Sequence, residues 1–391
     1  MKELTNEQRK YFGLDPVINS WDKVQFKGDA YRPDSILYFE GDTIKKQVIS
    51  TDKKYREIHF NEQTENRELI LPKTKKGKPK KLTPSVLESK TPIGVCLKVD
   101  SRGDLLIVNY TLLTTFYSRA WEYRRTDTDL EKMVTEFIEN SPADHLIQIE
   151  KFRQTKRKNV KYKSGDFFAY KLNRTEYGFG RILFDVNKAR KKKLLPENHG
   201  LNLLAGPPLL IKLYAYKFDS KSVDIELLKN QKSLPSDYIM DNVIFYGDWE
   251  IIGNLPLEIE EIEFPISYGK RFGQTPNVFL QWGLIHKELP MKKFDKYITA
   301  NTEKNPYGYY GIGVTPKFDT VDINETINNK GDFDFTKGRH YKLDWDLRNP
   351  KNEKIRTEIM KEFGLDPTKN YEENCKITGT KNIIELIDEM K

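Results

Sequence analysis

Apolar positions along the chain recur with two different periods, and the changes of period mark its elements. Thr5 and Gln8 stand at capping-box spacing, Gly13 follows, Leu14 is placed to pack back and Asp15-Pro16 comes next, so residues 5–12 are predicted as a short helix with a clean stop. The same pentapeptide, FGLDP, recurs at Phe363–Pro367, after a segment in which Asn349-Pro350 can open a helix and Ile355, Ile359 and Phe363 share one face. The echo reads as repeated helix-stop chemistry, not as a duplicated domain. Residues 23–60 and 93–123 instead carry short β-branched and aromatic runs (SILYFEG, IKKQVIS, IGVCLKVD, LLIVNYTLLTTFY), predicting an N-terminal sheet. The strongest helical signal is 128–140, where Thr128 and Glu131 form a capping box and Leu130, Met133, Val134, Phe137 and Ile138 follow helical spacing.

After Ser141-Pro142 comes a short apolar stretch and then the basic run KFRQTKRKNVKYK at 151–163, read as a connector. The pattern then turns to β: DFFAYKL at 166–172, GRILFDV at 180–186, LLIKLYAYKF at 209–218 and NVIFYGDWEIIG at 242–253, with NRTEYG at 173–178 as a hairpin connection and 187–206 as a longer basic loop. Beyond about residue 290 the chain is rich in Asn, Gly and Tyr (NPYGYYGIG, 305–313), then acidic, then helical, closing on Ile383, Ile384, Ile387 and Met390. The expected fold is α+β and mostly β: an N-terminal α+β domain at 1–125, a helix and basic connector at 126–154, a central β-barrel or curled antiparallel sheet at 155–290, and an irregular then helical C-terminal region at 291–391.

Length and charge sharpen this picture only in part. A chain of 391 residues exceeds one hydrophobic core, and 37% hydrophobic with 12% aromatic residues supports folded domains. No apolar run reaches membrane-spanning length and MKELTNEQRKYFG has no apolar signal core, so a cytoplasmic protein is expected. Two cysteines, Cys96 and Cys375, indicate neither a disulfide framework nor a zinc site. The net charge of +8 concentrates in two runs, Lys73–Lys81 and Lys188–Lys193, which makes Lys75, Lys76, Lys78, Lys191 and Lys192 candidate contacts for phosphate or an acidic partner.

Catalytic chemistry finds little foothold. His59, His145, His199, His286 and His340 lack metal-ligand spacing, and no metal or cofactor is expected. Glu88-Ser89-Lys90, with Asp34 or Asp42 upstream, offers the triplet of a metal-dependent nuclease, but Thr83-Pro84-Ser85 before it looks like a helix start, whereas that chemistry wants a strand. Gly178-Phe179-Gly180 leads into a strand and lacks the third glycine or GK[ST] of a phosphate loop, so its glycines are read as permitting positive φ or close approach.

Residues 163–183, KSGDFFAYKLNRTEYGFGRIL, resemble the opening of the immunity protein 26 family of bacterial polymorphic-toxin systems, through Gly165, Asp166, Tyr177, Gly178, Phe179, Gly180 and Arg181, and the resemblance extends loosely to about residue 290 through Asp248 and Trp249. It implies a mostly-β domain that neutralises a cognate toxin by direct, non-catalytic contact, with no catalytic residues. Interfaces are anchored by aromatic and Arg side chains, so Tyr177, Phe179, Arg181 and Trp249 are the candidate contacts. Alternation puts Tyr177, Phe179 and Arg181 on one face, which the arginine marks as the exposed one. Immunity proteins against basic nucleases are expected to be acidic; here local acidity is confined to Glu258–Glu263 and residues 319–334. The alternatives are a nucleic-acid-binding protein using the lysine runs, and a nuclease in the N-terminal domain.

Overall fold

The first predicted helix forms as α1 (Asn6–Tyr11), with both halves of the capping box: the Gln8 amide donates to Thr5 Oγ1 at 3.2 Å and the Thr5 amide to Gln8 Oε1 at 2.9 Å. Gly13 takes φ +66° and the Leu14 amide returns to the Arg9 carbonyl at 3.0 Å. The second FGLDP closes its helix in the same way, with Gly364 at φ +72° and the Leu365 amide on the Met360 carbonyl at 2.8 Å; both leucines are buried. The computed structural model describes residues 3–119, 129–270, 277–298, 320–335 and 346–390. NPYGYYGIG at 305–313 and His340 lie outside these. The chain divides into two units, one of Met1–Val160 with Lys171–Thr175 and Tyr246–Asp248, the other of Lys161–Tyr170, Glu176–Phe245 and Trp249–Lys391.

In the first unit the strands are β1 (Asp22–Phe26), β2 (Ser35–Glu40), β3 (Thr43–Ser50), β4 (Lys54–Glu65), β5 (Leu69–Ile70) and β6 (Lys80–Lys81), then helix α2 (Pro84–Glu88), then β7 (Ile93–Asp100), β8 (Leu105–Asn109) and β9 (Thr114–Ser118). Hydrogen bonding joins them in the order β1-β2-β3-β4-β7-β8-β9, with β5 and β6 as a short ladder on β4. One face buries Val48, Tyr55, Leu97 and Ile107 with Phe12, Leu14 and the helices α3 (Leu130–Glu139) and α4 (His145–Gln154). The other buries Leu37, Phe39, Ile44, Ile58 and Phe60 with Leu87 of α2. Burial on both faces explains why these strands read as near-continuous apolar runs.

Two helical expectations change here. Thr128 lies outside the described residues, and the cap of α3 is Asp129, whose carboxylate accepts from the Glu131 amide at 2.8 Å. Helix α4 extends into the basic run that was read as connector. Its apolar residues face two ways, His145 and Ile149 inward while Ile147 is 74% exposed, so no single-face period announces it.

In the second unit, β10 (Asp166–Lys171) and β11 (Tyr177–Asp185) are followed by α5 (Val186–Lys191), β12 (Pro208–Phe218), α6 (Ile225–Lys229), β13 (Asp237–Met240), α7 (Asn242–Phe245) and β14 (Glu250–Asn254). The sheet order is β13-β12-β11-β10-β14, an open path whose end strands do not pair among the described residues, which admits a curled sheet and not a closed barrel. Register shifts between Gly178 and Gly180 and between Ile182 and Phe184 bend β11, which curls the sheet without joining its edges. A three-stranded sheet of β15 (Ile266–Lys270), β16 (Asn277–Trp282) and β17 (Ile285–Pro290) follows, then α8 (Thr320–Asn328), α9 (Glu353–Glu362), α10 (Tyr371–Thr378) and α11 (Ile383–Met390).

Two β-or-loop readings are corrected in this unit. NVIFYGDWEIIG splits into a helical turn and a strand, because Asp241 accepts the Ile244 and Phe245 amides and Gly247 turns the chain at φ +78°. The 187–206 loop begins as α5, capped by the Asp185 carboxylate on the Lys188 amide at 2.8 Å, and contains a 3-10 turn at Gly200–Leu203. Helix α11 buries Ile383, Leu386 and Met390 against Leu183, Phe184 and Val186.

Candidate partner-binding surface

The GD…YGFGR segment builds the two strands at the middle of the second unit's sheet. Gly165 holds φ +89°, and a Cβ there would stand 2.3 Å from the Leu255 carbonyl oxygen, so only glycine fits where these two backbones cross. Asp166 is buried beside it, accepting from the Lys163 amide and Asn254 Nδ2, each at 2.8 Å; burial pushes its carboxyl pKa upward. Gly178 and Gly180 do not use positive φ. They are glycines because Tyr170 and Phe168 lie flat against them: a Cβ would come within 2.6 Å of the Tyr170 ring and 2.4 Å of the Phe168 ring. Trp249 completes this layer, its ring centroid 5.0 Å from both aromatics.

The opposite face carries Phe179 and Arg181, and both are 0% exposed. The expectation that Arg181 marks an exposed face is therefore corrected. Its guanidinium donates to the Leu255 carbonyl at 2.7 Å, to the Pro256 carbonyl at 2.9 Å and to Glu261, and lies 4.5 Å from the Phe167 ring centroid. A buried guanidinium persists because a carboxylate and several carbonyls replace its water. Arg181 thus ties the 255–261 segment across the sheet, and Phe179 packs with Phe167, Tyr214 and Leu228.

A candidate surface lies one step along, where β11 begins. Tyr177 is half-buried and pairs in register with Phe218, which is 44% exposed, while Tyr216 packs on Phe179 from the same face. Lys221 reaches over the Tyr177 ring at 5.8 Å and also pairs with Glu250; Lys217 pairs with Glu176 at 2.8 Å. Lys217, opposite Gly178 in the register, belongs to the other face, so the accessible aromatics are flanked on their own face by the Lys221–Glu250 pair, the composition of an interface anchor with a polar rim. Of the four candidate contacts, Tyr177 belongs to this patch, Trp249 is half-buried in the aromatic layer, and Phe179 and Arg181 are interior. Phe218 and Lys221 adjoin Tyr177 in this candidate patch, and the alternation of Tyr214, Tyr216 and Phe218 in LLIKLYAYKF was the signal for the first of them.

The charged runs fare differently. Lys75, Lys76 and Lys78 are exposed on the β5–β6 connection, and Lys191 is exposed at the end of α5. Lys192 donates to the Met390 and Glu389 carbonyls at 2.9 and 3.2 Å, closing the C-terminus of α11. In the acidic run Glu258–Glu263, Glu258 pairs with Lys229, Glu261 with Arg181 and Lys212, and Glu263 with Arg348, while Glu260 is exposed.

The charged residues of the nuclease triplet and its upstream aspartates are engaged with other partners. Glu88 ends α2 and pairs with Arg32 at 2.6 Å, Lys90 pairs with Glu62 at 3.4 Å, Asp34 accepts the Gly28 amide and Asp42 lies 3.9 Å from Arg67. Among the described residues no three His, Cys, Asp or Glu converge on a metal position. The densest titratable cluster was not foreseen: buried Glu57 takes Arg9 Nε at 2.8 Å, the Tyr55 hydroxyl at 2.6 Å and Lys46, and Lys46 also donates to the Asp15 carbonyl at 2.6 Å. Both Glu57 oxygens are engaged, so this network locks α1 to the sheet and leaves no free base. His145 likewise bonds the Tyr11 carbonyl at 2.7 Å and Arg174 at 3.0 Å.

Residues 163–274 match the family described as immunity protein 26. That is less than a third of the chain and coincides with the sheet that carries the glycine–aromatic layer. No curated protein and no solved structure matches the chain. No helix among the described residues is long and apolar enough to cross a membrane.

Proposed function

We propose that the protein is a non-enzymatic immunity protein that neutralises a cognate bacterial toxin by direct contact, in the cytoplasm of the producing cell. The match to immunity protein 26 over residues 163–274 is the observation that carries this reading. The geometry supports it in a specific form: a rigid sheet, pinned by Gly165, Gly178, Gly180 and Arg181, presents Tyr177 and Phe218 with Lys221 at its end. Binding by direct contact needs aromatic anchors on a fixed scaffold, and Tyr177 and Phe218 supply them here. Trp249 supports the strand beneath the patch.

The test is growth of cells expressing the toxin encoded beside this protein, with and without it, followed by titration calorimetry of the purified pair. A stoichiometric complex that restores growth is expected, and Tyr177→Ala and Phe218→Ala are each expected to weaken it by about 2 kcal/mol, roughly thirtyfold. Full protection by both variants overturns the proposed surface. Absence of protection and of any complex overturns the function; salt-labile binding of nucleic acid through Lys75, Lys76 and Lys78 would then be the better reading.

A further inference from the structure

A second surface stands in the first unit, between two strand edges. Strand β1 pairs only with β2 and β6 only with β5, so among the described residues each keeps one backbone edge without a strand partner. Between them runs a groove of about 360 Å³ lined by the apolar Val24, Phe26, Leu37, Phe39, Leu69 and Leu82 and by one acid, Glu68, against two cations, Arg67 and Lys81. Val24 and Phe26 lie two residues apart on one face of β1, with Val24 opposite Leu37, so the edge strand and its neighbour turn the same apolar face into the groove.

Arg67 is built into the rim. Asn66 and Arg67 both hold left-handed backbone, φ +51° and +59°, in the turn between β4 and β5, where glycine is the usual second residue. The strained arginine lies 4.8 Å from the Phe39 ring centroid, donates to the Gly41 carbonyl at 2.8 and 3.1 Å and to Asp22 at 2.6 Å, and keeps Nη1 without a partner among the described residues. The β5–β6 connection adds KTKKGKPKK, six lysines and no acid, of which Lys73 pairs with Glu62 at 2.6 Å while Lys75, Lys76, Lys78, Lys80 and Lys81 are exposed.

We infer that this groove docks an extended, acidic segment of a partner protein. The segment adds as a strand to the edge of β1, sets alternate apolar side chains on the floor, and presents its carboxylates to Arg67, Lys81 and the lysine connection. Charge complementarity selects this occupant. A second copy would bring its own lysine connection against the first, and a nucleic acid would need the Phe39 face that Arg67 already covers.

The test titrates the full chain into a fluorescein-labelled Glu-Val-Asp-Phe-Glu-Val-Asp-Phe peptide and reads anisotropy. Saturable binding is expected, weakened about tenfold or more by Phe26→Asp, by Lys80→Glu with Lys81→Glu, and by N-methylation of alternate peptide amides. The same peptide with lysine in place of its acids is expected not to bind. Oligoglutamate or a single-stranded oligonucleotide of equal length binding as tightly as the peptide overturns the inference, as does unchanged affinity in both protein variants. A chain that sediments as a dimer dissociated by Phe26→Asp assigns the groove to a second copy and overturns it too. The lysine pair is exposed, so that variant stays informative if Phe26→Asp unfolds.

Discussion

Arg181→Met separates scaffold from interface most directly. The side chain is 0% exposed, and its guanidinium serves the Leu255 carbonyl at 2.7 Å, the Pro256 carbonyl at 2.9 Å and Glu261 at once. Methionine keeps much of the packing on Phe167 but removes every one of those donors. A buried acceptor left without its partner costs about 1–3 kcal/mol. Glu261 retains Lys212 at 3.7 Å, so the sum falls near the ~3–5 kcal/mol of a broken buried ion pair and not above it. At roughly 2–4 °C per kcal/mol for a unit of this size, the melting temperature should fall by about 10 °C. Differential scanning calorimetry of the full chain reads the shift. Arg181→Met with Glu261→Leu then divides it: recovery of most of the loss assigns it to the ion pair, and a persistent deficit assigns it to the two carbonyls. A melting temperature for Arg181→Met within ~2 °C of the parent would refute the account of Arg181 as the tie across the sheet.

Three further outcomes follow from the same structure. Gly180→Ala puts a Cβ 2.4 Å from the Phe168 ring and 2.6 Å from the Lys212 carbonyl oxygen, an overpacking that should cost about 1–3 kcal/mol in thermal unfolding; adding Phe168→Leu should return part of it, and no effect from Gly180→Ala would contradict the aromatic-layer argument. His199 donates from Nε2 to the Leu284 carbonyl at 2.9 Å, accepts the Leu201 amide at Nδ1, and is held down to about 4 by burial; since its folded pKa lies below the unfolded value of 6.5, stability is complete above that pH and is lost as pH falls toward 4, by up to about 3 kcal/mol, and His199→Gln should flatten the acid limb of a melting-temperature-versus-pH curve. Asp248, which accepts the Thr115 amide at 2.8 Å, has the opposite sign: burial lifts its pKa from 3.8 to about 6, so stability is complete below 3.8 and is lost as pH rises through 6. Asp248→Asn keeps an acceptor and should stabilise by about 1–2 kcal/mol at pH 8 and not at pH 4 in chemical denaturation; equal effects at both would count against it.

Local signals in the sequence determined what local physics governs. The capping box at Thr5 and Gln8 and the two FGLDP stops are complete within a few residues, and each forms as read. The β-branched and aromatic runs between 23 and 60 and between 166 and 218 become strands because such side chains favour extended backbone within the strand itself. Gly178 and Gly180 were legible as permitting positive φ or close approach, of which the structure uses close approach, and the segment's family likeness was readable from the same residues.

What tertiary structure alone decided is where each face points and which charges meet. Alternation correctly grouped Tyr177, Phe179 and Arg181, but whether that face meets water depends on the 255–261 segment, more than seventy residues downstream of Arg181, whose carbonyls and Glu261 take the guanidinium. The acidic run at 258–263 could not announce its ion pairs, because Arg181, Lys212, Lys229 and Arg348 reach Glu258, Glu261 and Glu263 from separate parts of the chain. The open sheet likewise follows from pairing at its two edge strands, a long-range choice that no window of sequence contains. The same holds for the groove between β1 and β6: its floor and its lysine rim are some fifty residues apart in the chain, and only chain folding makes an apolar strand edge and a basic connection into one surface.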